Sequence, residues 1–132
     1  ISNFENESAE NFLADMSTNG DGLIAVSLEK ITDTEARPDI TECEEAIVAC
    51  EIIAAVVGRP AHDLPEDLAE WIGIFLPADS DARKEVLGLN DKAADVIDLL
   101  VTDSELRDLW EEGSNFEVWF EAQVDLQKRI LG

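Results

Sequence analysis

Much of the usual catalytic vocabulary is missing from this sequence. It holds one His, no Tyr, one Met and two Cys in 132 residues. With so few imidazoles and thiols, nucleophile–base pairs and His/Cys metal cages have little to draw on. Cations are scarce too. Nine Lys and Arg stand against 31 Asp and Glu, for a formal charge of −22 and a pI near 4.1. Phosphate backbones and anionic membranes are therefore poor partners, because binding there depends on Lys and Arg displacing counterions. Long hydrophobic runs are lacking as well. The longest covers residues 46–57 and contains Glu51, where a membrane span needs about 20 residues.

The two cysteines, Cys43 and Cys50, fall seven apart in a segment with helical character. In an intact helix that is about 10.5 Å of rise, beyond the roughly 7 Å at which two Cα atoms can be bridged. Two buried thiols in a reducing compartment are expected, and with them a cytoplasmic protein. The opening Ile1-Ser2-Asn3-Phe4-Glu5 lacks the basic-then-apolar pattern of a leader. Having no initiator Met, it is expected to follow a few further residues.

What is present is enough to fold. Leu, Ile, Val and Phe make up about 30% of the chain, above the roughly 20% below which highly charged chains stay disordered. The length suits one domain over 1–132.

Helical periodicity dominates. The spacing of Ala9, Phe12, Leu13 and Met16 predicts a helix over 7–17, ended by Asn19-Gly20-Asp21-Gly22. A second helix is expected over 23–33. Pro38 turns Arg37 away from helix. Thr41 and Glu44 read as a capping box for a helix over 41–57 with Gly58 as its stop. That helix is apolar on almost every side, which marks it as the buried centre. Pro65 suits the start of a fourth helix, over 65–75, which Pro77 closes. A polar stretch over 79–84 leads into helical material up to Val101, with a break at Gly88-Leu89-Asn90. Two more boxes, Thr102/Glu105 and Ser114/Glu117, open a short helix ending near Glu112 and a last helix over 115–131. The expected fold is all-α, a single-domain array of six or seven short helices around the 41–57 helix.

Four groups of residues bear on chemistry. Ser17-Thr18-Asn19-Gly20-Asp21-Gly22-Leu23-Ile24 resembles a calcium loop in its middle. It has Ser17 at the first ligand position and Leu28 at the twelfth, so both anchoring carboxylates are missing. An interhelical turn is the better reading, and no metal is expected. Asp91, Asp95 and Asp98 share one helix face at i, i+4 and i+7. They can face a cation or water; the opposite face, with Ala93, Val96, Ile97 and Leu100, is that of an amphipathic surface helix. His62 lies in a loop next to Asp63, with no nucleophile specified, and is expected at the surface. Glu42, Glu44, Glu45 and Glu51 surround the cysteines, and their charge raises thiol pKa rather than lowering it. No catalytic residue, cofactor or enzyme activity is expected from these groups.

The last helix carries Phe116, Trp119, Phe120, Ala122, Val124, Leu126, Ile130 and Leu131 over an arc of roughly 200°, wider than a surface helix needs. Gln123 and Gln127 interrupt it. It reads as a helix buried on two sides, its Gln pair bonded to backbone groups, or else as an interface. Trp71 and Trp110 invite the same comparison.

Three segments together are familiar. Asn3-Phe4-Glu5-Asn6-Glu7-Ser8-Ala9 with Phe12-Leu13-Ala14-Asp15 is the first. Glu51-Ile52-Ile53-Ala54-Ala55-Val56-Val57-Gly58-Arg59-Pro60, running on to Leu64-Pro65 and Trp71, is the second. Asp103-Ser104-Glu105-Leu106-Arg107-Asp108-Leu109-Trp110-Glu111-Glu112 is the third. The chain resembles a bacterial family of small acidic proteins classed as domain of unknown function 4259. The resemblance implies an α-helical fold and carries over no activity and no catalytic residue.

The reading that follows from the charge is a protein-binding domain whose acidic surface covers a basic partner. An immunity or inhibitor protein occupying a toxin's nucleic-acid cleft is its concrete form. Asp91, Asp95, Asp98, Trp110, Glu111 and Glu112 are the candidate contact residues. Two alternatives stand beside it: a non-catalytic soluble domain whose acidity, with only four Lys, serves a high-salt cytoplasm, and a weak divalent-metal binder.

Overall fold

A computed structural model of the chain describes residues 3–4, 6–19, 22–33 and 37–132, the side chains of 17–19 excepted. Among these residues all regular structure is helical. The eight helices are α1 (Glu7–Asn19), α2 (Gly22–Thr32), α3 (Ile40–Val57), α4 (Glu66–Phe75), α5 (Asp81–Leu87), α6 (Asn90–Thr102), α7 (Glu105–Glu111) and α8 (Phe116–Leu131). The extra helix relative to expectation is α5. Ser80 caps it by accepting from the Arg83 amide at 3.1 Å, so the second half of the polar 79–84 stretch is helical. Gly88 and Leu89 do break α5 from α6.

α3 is the centre. From Ala46 to Ala54 every residue is buried, and α1, α2, α5, α6, α7 and α8 all pack against it. One apolar core joins all eight helices, with Phe12, Ile24, Leu28, Ile52, Ile53, Leu76, Ile97, Leu100, Leu106, Trp119 and Leu126 essentially sealed from water. Burial of each such side chain is worth about 1.5–3 kcal/mol, which is how a chain with this much self-repulsion stays folded.

The helix borders differ from the sequence reading at three caps. The capping box of α3 is Asp39/Glu42, not Thr41/Glu44: Asp39 Oδ1 accepts from the Glu42 amide at 2.8 Å, and Glu42 Oε1 accepts from the Asp39 amide at 3.2 Å. The cap of α7 is Ser104, not Thr102. Buried Ser104 accepts from the Arg107 amide at 3.0 Å and donates to the Leu100 carbonyl at 2.7 Å, joining the end of α6 to the start of α7. α8 starts after Asn115 with no side-chain cap. Gly58 ends α3 as expected, at φ +102°.

Arg83 joins two helix ends. Its Nη1 donates to the Leu76 carbonyl at 2.7 Å and its Nη2 to the Val56 carbonyl at 3.1 Å, placing a cation at the carbonyl ends of α4 and α3. Alone of the described helices, α4 brings its backbone close to no other helix over any length. It is held by Leu68, Trp71 and Ile72, with Leu76 following. Among the described residues no helix is long and apolar enough to cross a membrane.

Candidate functional site

Glu51 interrupts the most apolar stretch of the chain, and its environment shows why it is tolerated. The side chain is 2% exposed. Arg129, on the last turn of α8, meets it as a fork: Nη2 donates to Glu51 Oε1 at 2.9 Å and Nη1 to Oε2 at 3.1 Å. Two parallel bonds to a carboxylate are the strongest geometry available to a guanidinium. Arg129 Nε donates to Asp125 Oδ2 at 2.8 Å, and Nη1 also reaches the Arg59 carbonyl at 3.3 Å. Burial works against the Arg129 charge, yet Glu51 and Asp125 outweigh it and hold its pKa above the ordinary value.

The N-terminal segment completes this network. Asn3 Nδ2 donates to Glu51 Oε1 at 3.1 Å and to Gln123 Oε1 at 3.3 Å, while Gln123 Nε2 donates back to Asn3 Oδ1 at 2.8 Å. Phe4 is buried beside it. Three distant stretches of sequence thus converge on one buried carboxylate.

Over this network lies a cleft of about 520 Å³. Its walls are Asn3, Phe4 and Glu51, the loop Pro60-Ala61-His62-Asp63, and one face of α8 with Val118, Glu121, Ala122, Asp125 and Arg129. Four bonds already occupy the Arg129 guanidinium, which leaves it little capacity to bind an anion. Glu121 and Asp63 make no ion pair among the described residues, and both are exposed, as is His62. The cleft therefore offers carboxylates at its mouth over a neutralised floor, a setting for a cationic group.

The residues singled out from sequence lie elsewhere. Asp91, Asp95 and Asp98 are exposed on α6, and Asp98 Oδ1 accepts from Gln127 Nε2 at 2.8 Å. Trp110 is half-buried, its ring stacked at 6.1 Å on that of Trp119. Glu111 pairs with Arg107 at 2.9 Å, and Glu112 follows, exposed. Among the described residues no side-chain hydrogen bond or ion pair joins any two of these six. The candidate calcium loop includes residues 20 and 21 and the side chains of 17–19, which lie outside the described residues. Gln127 does bond a backbone group, the Ala94 carbonyl at 2.9 Å; Gln123 instead uses the Asn3 side chain. The aromatic arc of α8 is largely interior, with Trp119 sealed and Phe116 and Phe120 packed on the core.

Both cysteines are buried and free. Burial is the main force pushing the Cys43 thiol up to about 11, with the charges of Asp39 and Glu42 adding to it. Cys50 is pushed up further by burial and by Glu51. The direction expected from the acidic neighbours holds, though desolvation is the larger cause.

Residues 1–122 match the family described as "Domain of unknown function (DUF4259)". The chain belongs to that family. The matched stretch carries Asn3, Glu51 and the 60–63 loop of this DUF4259 member, and stops just before Gln123. No curated protein matches it, and no solved structure does.

Missing from the sequence reading were Glu51 as the hub, and Asn3 and Arg129 as its partners. One signal was available: a Glu inside an otherwise apolar helix must be paired. Which of nine cations pairs with it is not readable from spacing.

Proposed function

We propose that this domain is a non-catalytic binding protein whose acidic surface covers a basic partner, an immunity or inhibitor protein being the specific form. The observation that carries the reading is where its arginines go. All five are committed to the chain's own acceptors: Arg37 to Asp103 and Asp108, Arg59 to the Arg129 carbonyl, Arg83 to two helix ends, Arg107 to Glu111 and Arg129 to Glu51 and Asp125. The arginines are engaged by the chain's own groups, and the carboxylate excess is left facing outward. Such a field steers a basic partner and repels acidic competitors. The cleft beside His62 and Asp63 is a place where a Lys or Arg of that partner can insert. Thiols pushed up by burial are poor nucleophiles at neutral pH, in keeping with a role that involves no chemistry.

The test is affinity capture from lysate at low salt with stepwise salt elution. One stoichiometric basic protein released at moderate salt is the expected result, and its capture should fall when Asp63 and Glu121 are both changed to Lys. Recovery of the bait alone would overturn the reading.

A further inference from the structure

A second concavity has the opposite character from the acidic cleft. Between α1 and α4 runs a groove of about 330 Å³, walled by Leu13, Ala14, Met16, Pro65, Leu68 and Trp71, with Glu10 and Asp67 also lining it. It exists because α4 stands off from its neighbours on large side chains. The apolar surface continues past the groove: the Phe75 ring lies 5.2 Å from that of Trp71 and is 50% exposed, and Ile74 beside it is 70% exposed. Within this wall Trp71 is only 8% exposed, yet among the described residues its indole N–H has no acceptor. A buried donor left unpaired is uncommon and calls for an acceptor. No Lys or Arg lines the groove, and Glu66 and Glu70 add exposed acid along α4.

We propose that the α1–α4 groove is the apolar anchor of the partner interface: it takes a Leu-, Ile- or Phe-type side chain from a segment of the basic partner in which Lys or Arg flank the apolar residue, a backbone carbonyl of that segment accepting from the Trp71 indole N–H. This deepens the proposed function and rests on it. Charge chooses the occupant. An apolar floor with acidic walls and no cation complements an amphipathic basic segment. A second copy of this chain would bring another −22 against the same walls. Buried anchors of this kind supply most of an interface's energy, while surrounding charge sets rate and orientation.

The experiment uses the full chain, ¹⁵N-labelled, with the Trp71 indole resonance assigned through Trp71→Phe. The probes are a helical Leu/Lys peptide and its Ser-for-Leu counterpart of equal charge. The Leu/Lys peptide should shift the Trp71 indole and bind about 10-fold or more tightly than the Ser/Lys peptide, the effect of burying one large aliphatic side chain. Ala14→Gln, at an exposed helical position, should erase that difference and leave Ser/Lys binding intact. Leu99→Gln, an exposed apolar site on α6, should change neither. Equal binding of both peptides with a silent Trp71 would overturn the groove and leave the acidic-surface reading standing. Binding of neither peptide would overturn both. A Trp71 shift produced by raising protein concentration alone would assign the groove to a second copy and overturn the proposal.

Discussion

Glu51 and Arg129 show how one residue pair holds a fold together and shapes a site. Each charge is costly to take out of water, and the pair is stable because the fork and its neighbours satisfy most donors and lone pairs. Removing one partner strands the other. Arg129→Met should cost about 3–5 kcal/mol in chemical denaturation, because Glu51 would keep its burial and lose its cation. The double variant Glu51→Met/Arg129→Met should cost well under the sum of the two single changes, since no charge is then left unpaired. Equal, additive losses in that cycle would mean the two side chains are not coupled. Asn3 sets the same carboxylate from the N-terminal side, so Asn3→Ala should loosen Gln123 and the cleft floor with a smaller loss, about 1.5–3 kcal/mol for a hydrogen bond to a charged group.

The helices themselves were largely readable from the sequence, because a helix leaves its period in the apolar positions. α3 was recognisable as the buried strut from its all-round apolar surface, and Gly58 marked its end because a left-handed residue after a helix favours glycine. The caps were less legible. Thr41/Glu44 and Asp39/Glu42 both satisfy the box pattern, two residues apart, and only the direction in which the chain enters from Pro38 selects the second. Tertiary contact made a similar choice at α7, where Ser104 wins over Thr102 by being buried against the end of α6. The start of α5 at Asp81, inside the stretch read as polar, was not legible because its one buried side chain, Val86, is too little to leave a period in seven residues. The candidate site was least legible of all, since Asn3, Glu51 and Arg129 are brought together only when α8 and the segment before α1 both pack against α3. The cap choice is open to measurement. Asp39→Ala should destabilise the protein by about 1 kcal/mol, while Thr41→Ala, at an exposed position inside the first turn, should leave the midpoint of urea denaturation nearly unchanged. The reverse ranking would restore the Thr41/Glu44 border.

At the scale of the whole molecule the dominant fact is −22 on one small domain. Like charges on a compact body repel, and unfolding relieves that repulsion. Salt and pH should each change the stability, by routes that can be separated. Added KCl screens exposed charges over about 10 Å at 0.1 M, so the melting temperature should rise with salt. Lowering the pH acts on the carboxyls themselves. Desolvation raises the pKa of Glu44, against a hydrogen bond from Ser8 that lowers it, and desolvation likewise raises that of Glu45. A carboxyl whose folded pKa is raised gives stability that is fully present below its unfolded pKa, near 4.5, and is lost as pH rises through the folded value. The protein should therefore melt higher at about pH 4.5 than at about pH 8. High salt should shrink that difference by removing the repulsive part, and leave the part due to burial. Glu44→Gln, which keeps an acceptor for the Ser8 hydroxyl, should then reduce what remains by raising stability at pH 8 more than at about pH 4.5. Thermal melts of the two proteins at two salt concentrations and two pH values test this. A pH difference untouched by both salt and Glu44→Gln would mean that neither surface repulsion nor the half-buried Glu44 carboxylate limits the stability of this acidic fold.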